Sequence, residues 1–147
     1  MSSEAVSHAV FRSPSATDSH AFWDACQREE LVAVRCVTCG TLSHPPRPVC
    51  ESCGGPEMKA APVAGPGTLY ASTVVEHQVD PEWPVPYTIV LVDVDRVPGL
   101  RLAGCLAGRW ELRAGEPMDL WFEHRPDGTV VPQWRPAAWK AESASDS

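Results

Sequence analysis

The chain has 147 residues, 44% of them hydrophobic, which is enough for one moderate core or for a small core joined to a metal-stapled module. Its formal net charge is −7, and its ten arginines and two lysines are scattered, so the composition disfavours sequence-independent binding of nucleic acid. No apolar run approaches the roughly 20 residues of a membrane span. The N-terminus lacks the apolar stretch of a secretory signal, so we expect a cytoplasmic protein with reduced thiols.

The first part of the chain predicts a polar leader followed by one short helix. Residues 1–17 are rich in Ser and Ala, and we expect them to be a flexible leader or linker. Residues 19–30 predict a helix, with Asp18 or Ser19 as its N-cap. The fifteen prolines and ten glycines of the chain favour short elements and many turns elsewhere.

Two aromatic residues of this helix are candidates for a contact surface. Phe22 and Trp23 fall on one side of the helix together with Cys26, at the spacing i, i+1, i+4. They either pack against the module that follows or form a stripe that faces a partner protein. Residues 31–35 alternate apolar and other side chains and predict a strand that leads into the next motif.

Four of the six cysteines form two C-x-x-C pairs, each followed by glycine, with ten residues between the pairs. Two residues between thiolates let one tight turn aim both sulfurs at a single ion, and the glycine permits the positive φ of such a turn. Two of these turns complete a tetrahedral four-sulfur site, the pattern of a zinc ribbon. Two disulfides or a redox pair are the alternatives. We predict a structural Zn²⁺, with iron as the other candidate, bound by Cys36, Cys39, Cys50 and Cys53.

The predicted metal site offers no catalytic position. Four thiolates close the coordination sphere of the ion, so no water can bind it, and His44 beside the ribbon has no vacant position to fill. The sequence contains no zincin motif, no G-x-S-x-G and no glycine-rich phosphate loop. Cys26 and Cys105 are expected to act as small apolar side chains. We therefore expect no catalysis by the isolated chain.

Residues 57–136 predict an all-β domain that follows the ribbon module of residues 18–56. Five strands with turns at this spacing indicate a small closed or half-closed barrel. Gly104 within a strand fits the bend that such a barrel needs. Residues 137–147 are polar and are expected to be a disordered tail. The five predicted strands are residues 68–79, 87–95, 100–107, 117–124 and 130–134.

Two further residues are candidates for contact with a partner. Arg47 lies between prolines on a stiff arm beside the ribbon, where it could pair with a partner carboxylate or with a phosphate, or form an internal salt bridge. Trp83 lies on a proline-rich loop, residues 79–86, and could be an interface hot spot or could fold back to cap the barrel.

The aromatic residues of the β domain leave one alternative function open. On a barrel that binds single-stranded nucleic acid, exposed aromatic rings form a platform on which bases stack. The acidic composition argues against this function, and most of these rings are better explained as core and rim of the barrel. The residues concerned are Tyr70, Tyr87, Trp110, Trp121 and Trp134.

An ordered set of short pieces resembles one family over residues 20–136. It consists of Phe22-Trp23, residues 31–36 with Cys39-Gly40, Pro45-Pro46-Arg47, residues 65–70, Arg113-Ala-Gly115-Glu-Pro117 and Trp134-Arg135-Pro136. The set is similar to bacterial and archaeal proteins in which a rubredoxin-like zinc ribbon precedes an acyl-CoA-associated OB-fold domain. The resemblance implies a mainly β fold with a short N-terminal helix, a four-cysteine zinc ribbon and a five-stranded OB-fold barrel.

The same resemblance implies a function as a non-catalytic partner of a thiolase-fold enzyme. It also implies that the phosphate paired with Arg47 could be one of coenzyme A. In one branch the partner is a thiolase-like aldolase that shortens steroid or bile-acid side chains as CoA thioesters. In another it is a thiolase that the OB-fold protein bridges to the next enzyme. Some relatives are the C-terminal half of a chain whose N-terminal half is a hotdog-fold hydratase, so residues 1–17 suit a standalone protein or a piece of such a fusion.

Overall fold

The computed structural model describes residues 20–81 and 83–139. The predicted leader, residues 1–17, lies outside this range. So do Asp18 and Ser19, the predicted N-cap residues of the helix, and residues 140–147. The predicted helix is confirmed as α1, His20–Gln27, which buries Phe22, Ala25 and Cys26. Within the described residues, no helix is both long enough and apolar enough to cross a membrane.

A three-stranded antiparallel sheet follows α1 and carries the cysteine pairs. Its strands are β1 (Leu31–Cys36), β2 (Leu42–Ser43) and β3 (Met58–Val63), in the order β2-β1-β3. β3 lies beyond residue 56, where the sequence predicts the end of the ribbon, yet it pairs with β1 from Leu31↔Val63 to Cys36↔Met58. Pro62 is tolerated there because β3 is an edge strand.

The rest of the chain forms a five-stranded antiparallel sheet in the order β6-β5-β4-β7-β8. Because β4 lies in the centre and pairs with both β5 and β7, the chain crosses from one side of the sheet to the other between β6 and β7. The first predicted strand ends earlier than expected, at residue 75 rather than 79. The strands are β4 (Gly67–Val75), β5 (Tyr87–Val94), β6 (Arg101–Ala107), β7 (Pro117–His124) and β8 (Val130–Pro136).

The two edge strands of this sheet, β6 and β8, lie against each other and make a half-closed barrel. In the described residues they share no backbone ladder, so the barrel is not fully closed. The side chain of Gln133 bridges them, since its Oε1 accepts a hydrogen bond from Cys105 N at 2.9 Å. This is the partly open, five-stranded barrel of an OB-fold.

Gly104 has a different role from the predicted bend. A Cβ atom at this position would lie 3.1 Å from Trp134 Cδ1 and 3.2 Å from Trp134 N. The backbone of β8 therefore approaches β6 so closely that only glycine fits without a shift. Gly104 permits the contact between the sheet edges.

One hydrophobic core joins the ribbon module to the barrel. Phe22 and Cys26 of α1 and Leu31 and Ala33 of β1 belong to the same buried cluster as the barrel interior. The barrel contributes Leu69, Val90, Val92, Val94, Leu100, Leu102, Leu106, Met118, Val130 and Trp134. The helix and β1 therefore form part of the wall of the barrel core.

The start of the predicted tail is ordered. Residues 137–139 are helical, and the ring of Trp139 lies edge-on to Trp110 with their centroids 5.9 Å apart. The chain therefore continues along the barrel beyond β8, at least to Trp139.

Candidate metal centre and partner-facing residues

The two cysteine turns have the same backbone geometry. Gly40 has a φ of 78° and donates its N–H to Cys36 O at 2.9 Å, while Gly54 has a φ of 77° and donates to Cys50 O at 2.9 Å. Both glycines occupy the left-handed region that disfavours other residues, as the motif predicts. Each turn brings its two cysteines to one side.

The four cysteine sulfurs converge on one point. All four Sγ atoms lie within 4.8 Å of one another, with Cys36 and Cys53 sulfurs 3.6 Å apart and Cys39 and Cys50 sulfurs also 3.6 Å apart. Zinc bonds to sulfur of about 2.3 Å in a tetrahedron place the sulfurs about 3.8 Å from each other. The four cysteines therefore fit one tetrahedral ion, and this part of the prediction agrees with the structure.

Backbone and side-chain groups support thiolates at this site. The N–H of Cys39 approaches Cys36 Sγ to 3.4 Å and lowers the pKa of that thiol. Thr41 Oγ1 lies 3.1 Å from Cys39 Sγ, and this hydrogen bond lowers the pKa of Cys39 to about 6. The Gly55 N–H, 3.4 Å from Cys53 Sγ, lowers the pKa of Cys53, but the neighbouring sulfurs outweigh it and raise that pKa to about 12. The crowding of the sulfurs thus opposes ionisation of Cys53, and a cation between the four sulfurs would favour its thiolate.

Gly55 completes the surroundings of the sulfurs. A Cβ atom at this position would lie 3.1 Å from Cys36 Sγ and 3.2 Å from Cys53 Sγ. Because glycine has no side chain, it leaves room here for the sulfurs and for an ion between them. Together with the closed donor set, this geometry fits a structural zinc ion without an open coordination position.

His44 is not part of the metal site. Its ring lies 5.0 Å from the ring of Phe22, and burial lowers the pKa of its imidazole. Among the described residues the metal-binding group contains only the four cysteines. His44 instead packs the arm of residues 41–49 against α1.

The aromatic pair on α1 divides between core and surface. Phe22 is buried in the core cluster, so its side chain packs internally. Trp23 is half-buried and meets Phe22 edge-on with ring centroids 5.0 Å apart. Of the two, Trp23 is the residue whose side chain remains partly exposed and able to contact a partner.

Arg47 forms an internal ion pair, which is the second of its two predicted roles. Its Nε lies 3.2 Å from Glu51 Oε2, and both side chains are about half exposed or more, at 48% and 64%. Exposed ion pairs contribute little to stability, typically about 0–1 kcal/mol. Arg47 therefore remains able to exchange Glu51 for another carboxylate.

Trp83 is held against the barrel by its own loop. Its ring stacks on Tyr87 with centroids 5.1 Å apart and planes 20° apart. Gln78 Nε2 donates to Trp83 O at 2.9 Å and to Pro81 O at 3.2 Å, which orders the loop. The structure thus places Trp83 as a half-buried cap on Tyr87 of β5.

The five aromatic residues considered for base stacking do not form one platform. Trp134 is 1% exposed and lies in the core, and Trp110 packs partly against it. Tyr70 is exposed, and its ring is covered by the guanidinium of Arg101 at 3.4 Å. Trp134 is therefore a core residue and is not available to stack on a base.

Comparisons with known proteins agree with this fold and site. Residues 23–59 match the family model described as the ChsH2 rubredoxin-like zinc ribbon domain. A chain of the solved Ltp2-ChsH2(DUF35) aldolase is 31% identical to this protein and superposes on it with a TM-score of 0.75. The match covers 86% of this protein and 99% of the aldolase chain. The chain belongs to the ChsH2/DUF35 family. The family resemblance seen in the sequence is thereby confirmed.

Other relatives of this DUF35 protein have varied names. It is 36% identical over 134 residues to a probable enoyl-CoA hydratase alpha subunit of Thermomonospora curvata, and the match covers 88% of this chain. It is 32% identical over 80 residues to a DUF35 domain-containing scaffold protein of Methanocaldococcus jannaschii, over 53% of this chain. The matches span only 41% and 55% of those two proteins.

A more distant structure shows the same fold. A DUF35-family protein of unknown function from Sulfolobus solfataricus is 15% identical and has a TM-score of 0.58 over 80% of this chain and 87% of its own. At this identity the match supports the DUF35 architecture of ribbon and barrel and nothing further.

Proposed function

We propose that this DUF35 protein is a non-catalytic accessory subunit of a thiolase-fold enzyme that acts on acyl-CoA substrates. An aldolase that cleaves the side chain of a steroid or bile acid is the first choice of partner. The observation that carries the proposal is the 31% identity over 99% of a chain from the Ltp2-ChsH2(DUF35) aldolase. An accessory subunit of this kind stabilises the enzyme and shapes the mouth of its substrate channel.

The ribbon supports a structural role in such a complex. Cys36, Cys39, Cys50 and Cys53 would hold a zinc ion that cross-links the two turns and provides no Lewis-acid position. The ion would hold the two turns together and so help to fix the arm that carries Arg47 relative to α1, where Trp23 offers apolar surface. These two residues are the proposed contacts with the enzyme, and the groups that cleave the carbon–carbon bond belong to the partner.

Co-expression with a thiolase-fold aldolase of the proposed kind tests the proposal. We expect the two chains to co-purify, the complex to cleave its CoA thioester, and the isolated chain to show no lyase or thiolase activity. Turnover by the isolated chain, or failure of the two chains to associate, would overturn the assignment. A metal-free preparation should lose the association, since its ribbon is unfolded.

A bridging scaffold is the second candidate function. It is favoured by the similarity to a protein named as a DUF35 scaffold and to a probable enoyl-CoA hydratase subunit. A bridge would bind a thiolase-fold enzyme and a hotdog-fold hydratase at the same time. Size-exclusion chromatography of the three proteins together distinguishes the functions, because only a bridge gives a ternary complex that dissociates when this chain is omitted.

A further inference from the structure

The outer face of β7 and β8 carries an arginine whose guanidinium lies close to two indole rings. Cζ of Arg135 lies 5.5 Å from the ring centroid of Trp121 and 5.7 Å from that of Trp139. Trp121 points away from the barrel interior, because its neighbours Leu120 and Phe122 in β7 both pack against the core. We call Trp121, Arg135 and Trp139 the indole clamp.

Two donors of the indole clamp have no acceptor among residues 20–81 and 83–139. Trp121 Nε1 and Arg135 Nε are both buried without a hydrogen-bond partner. Asp119 faces Arg135 across the β7–β8 register, but among the described residues Arg135 forms no ion pair. A buried donor without an acceptor is unfavourable, and most such groups in native proteins are satisfied. Two of them at one place indicate that an acceptor is missing from the part of the chain that the structure describes.

The donors of the indole clamp indicate which kind of acceptor would bind there. A guanidinium presents a planar fork of N–H donors that matches a carboxylate, and flanking indoles exclude water from the pair. Tryptophan and arginine are also the residues most enriched at the energetic centres of protein interfaces. The clamp lies on the outside of two strands, which suits a protein surface more than a small enclosed ligand.

We propose that the indole clamp is a docking point for a carboxylate side chain of a partner protein. The proposal deepens the function above and rests on it for the identity of the partner, but not for the chemistry of the site. The second source of a carboxylate is this chain itself, since Glu142 and Asp146 follow the clamp. A chain shortened after residue 139 separates the two sources.

A peptide titration tests the carboxylate directly. The ¹⁵N-labelled full chain is titrated to millimolar concentrations with acetyl-Leu-Glu-Leu-amide and, separately, with its Gln counterpart. We expect the Glu peptide to shift the indole N–H resonance of Trp121 and to bind at least fivefold more tightly than the Gln peptide. Arg135→Gln should abolish the difference. Equal shifts with both peptides, or no shift with either, overturn the proposal.

The chain without residues 140–147 shows whether a partner protein or the C-terminal tail supplies the carboxylate. If removal of residues 140–147 leaves the affinity for the Glu peptide unchanged, the carboxylate comes from a partner, as proposed. If the removal raises that affinity severalfold, the tail occupies the clamp and the partner assignment is wrong. This titration uses no enzyme, so its result does not depend on the proposed aldolase partner.

Two matched tryptophan variants separate docking from structure. Trp121→Phe keeps a ring but removes an unpaired donor, so we expect severalfold weaker binding of the Glu peptide with an unchanged or higher melting temperature. Trp110→Phe keeps an aromatic ring against Trp139 of the clamp and removes a donor that is paired with Ala107 O at 2.9 Å, so it should lower the melting temperature and leave peptide binding unchanged. A lower melting temperature for Trp121→Phe with unchanged peptide binding would assign the clamp a purely structural role.

The complex with the enzyme provides the final comparison. If the wild-type chain binds the thiolase-fold enzyme and Arg135→Gln binds it equally well, the proposed function stands and the clamp proposal fails. If the wild-type chain does not bind that enzyme but discriminates the Glu peptide, the clamp stands and the partner is a different protein.

Discussion

Gln133 connects the two edges of the barrel sheet through a single buried amide. Its Oε1 accepts a hydrogen bond from Cys105 N on β6 at 2.9 Å, and its Nε2 donates to Glu123 Oε1 on β7 at 2.9 Å. Arg125 donates to the same carboxylate oxygen at 3.0 Å. One side chain thus satisfies a backbone N–H that no strand ladder reaches.

We expect Gln133→Leu to lower the free energy of unfolding by about 2–3 kcal/mol, because it leaves the N–H of Cys105 and the carboxylate of Glu123 with one partner fewer. Urea denaturation measures the change. Gln27→Ala is the matched control, since Gln27 is exposed and donates to Gly128 O. It should cost less than about 0.5 kcal/mol. Equal effects of the two substitutions would contradict the bridging role of Gln133.

Metal removal should unfold the ribbon. A metal ion in such a site contributes on the order of 10 kcal/mol of binding free energy, which is coupled to folding. We expect elemental analysis to find zinc bound to the wild-type chain and lost from Cys50→Ser, with partner binding lost at the same time. Cys105→Ser lies outside the metal group and should retain zinc. A chelated chain that still bound its partner normally would show that the ribbon does not organise the binding surface.

Alkaline pH should remove the stabilisation that Cys26 provides. Burial raises the pKa of its thiol from 9.0 to about 12, so between these values the unfolded chain loses a proton that the folded chain keeps. The stabilisation is complete below pH 9 and falls as the pH rises towards 12. We therefore expect the stability difference between wild type and Cys26→Ala to shrink from pH 7.5 to pH 10.5, by at most about 1.4 kcal/mol per unit above pH 9. Leu102→Ala, a core truncation without an ionisable group, should show a constant difference.

Arg47 should affect binding more than stability. Because its ion pair with Glu51 is exposed, Arg47→Ala should change the free energy of unfolding by less than about 1 kcal/mol. If Arg47 contacts the enzyme, the same variant should weaken the complex about tenfold, or 1.4 kcal/mol, in a calorimetric titration. Glu51→Ala is the control, since it frees the arginine and should leave the affinity unchanged or higher. Identical affinities of Arg47→Ala and wild type would remove Arg47 from the interface.

The metal site could be predicted from sequence because its geometry is local. Each pair of cysteines is fixed by one turn, and the glycine after it reports the required positive φ. The strands of the barrel were also predictable, since the alternation of β5, Tyr87–Val94, follows the buried and exposed faces of the sheet.

The features that the sequence could not predict depend on contacts between distant segments. β3 contains Lys59 and Pro62 and shows no clear alternation, so only its pairing with β1 identifies it as a strand. Gly104 is explained by the approach of Trp134, thirty residues later in the chain. The approach of Arg135 to Trp121 likewise depends on the register of β7 and β8.

The shared core has a consequence for how this protein can be divided. α1 and β1 carry the ribbon on one side and supply Phe22, Cys26, Leu31 and Ala33 to the barrel interior on the other. A cut between the ribbon and the barrel would therefore open the barrel interior to water, rather than release two independent folding units. A substitution that raises the amide exchange rates of the ribbon should therefore also raise those of the barrel. Gene fusions that carry this module to other enzymes must transfer it whole, from α1 to β8.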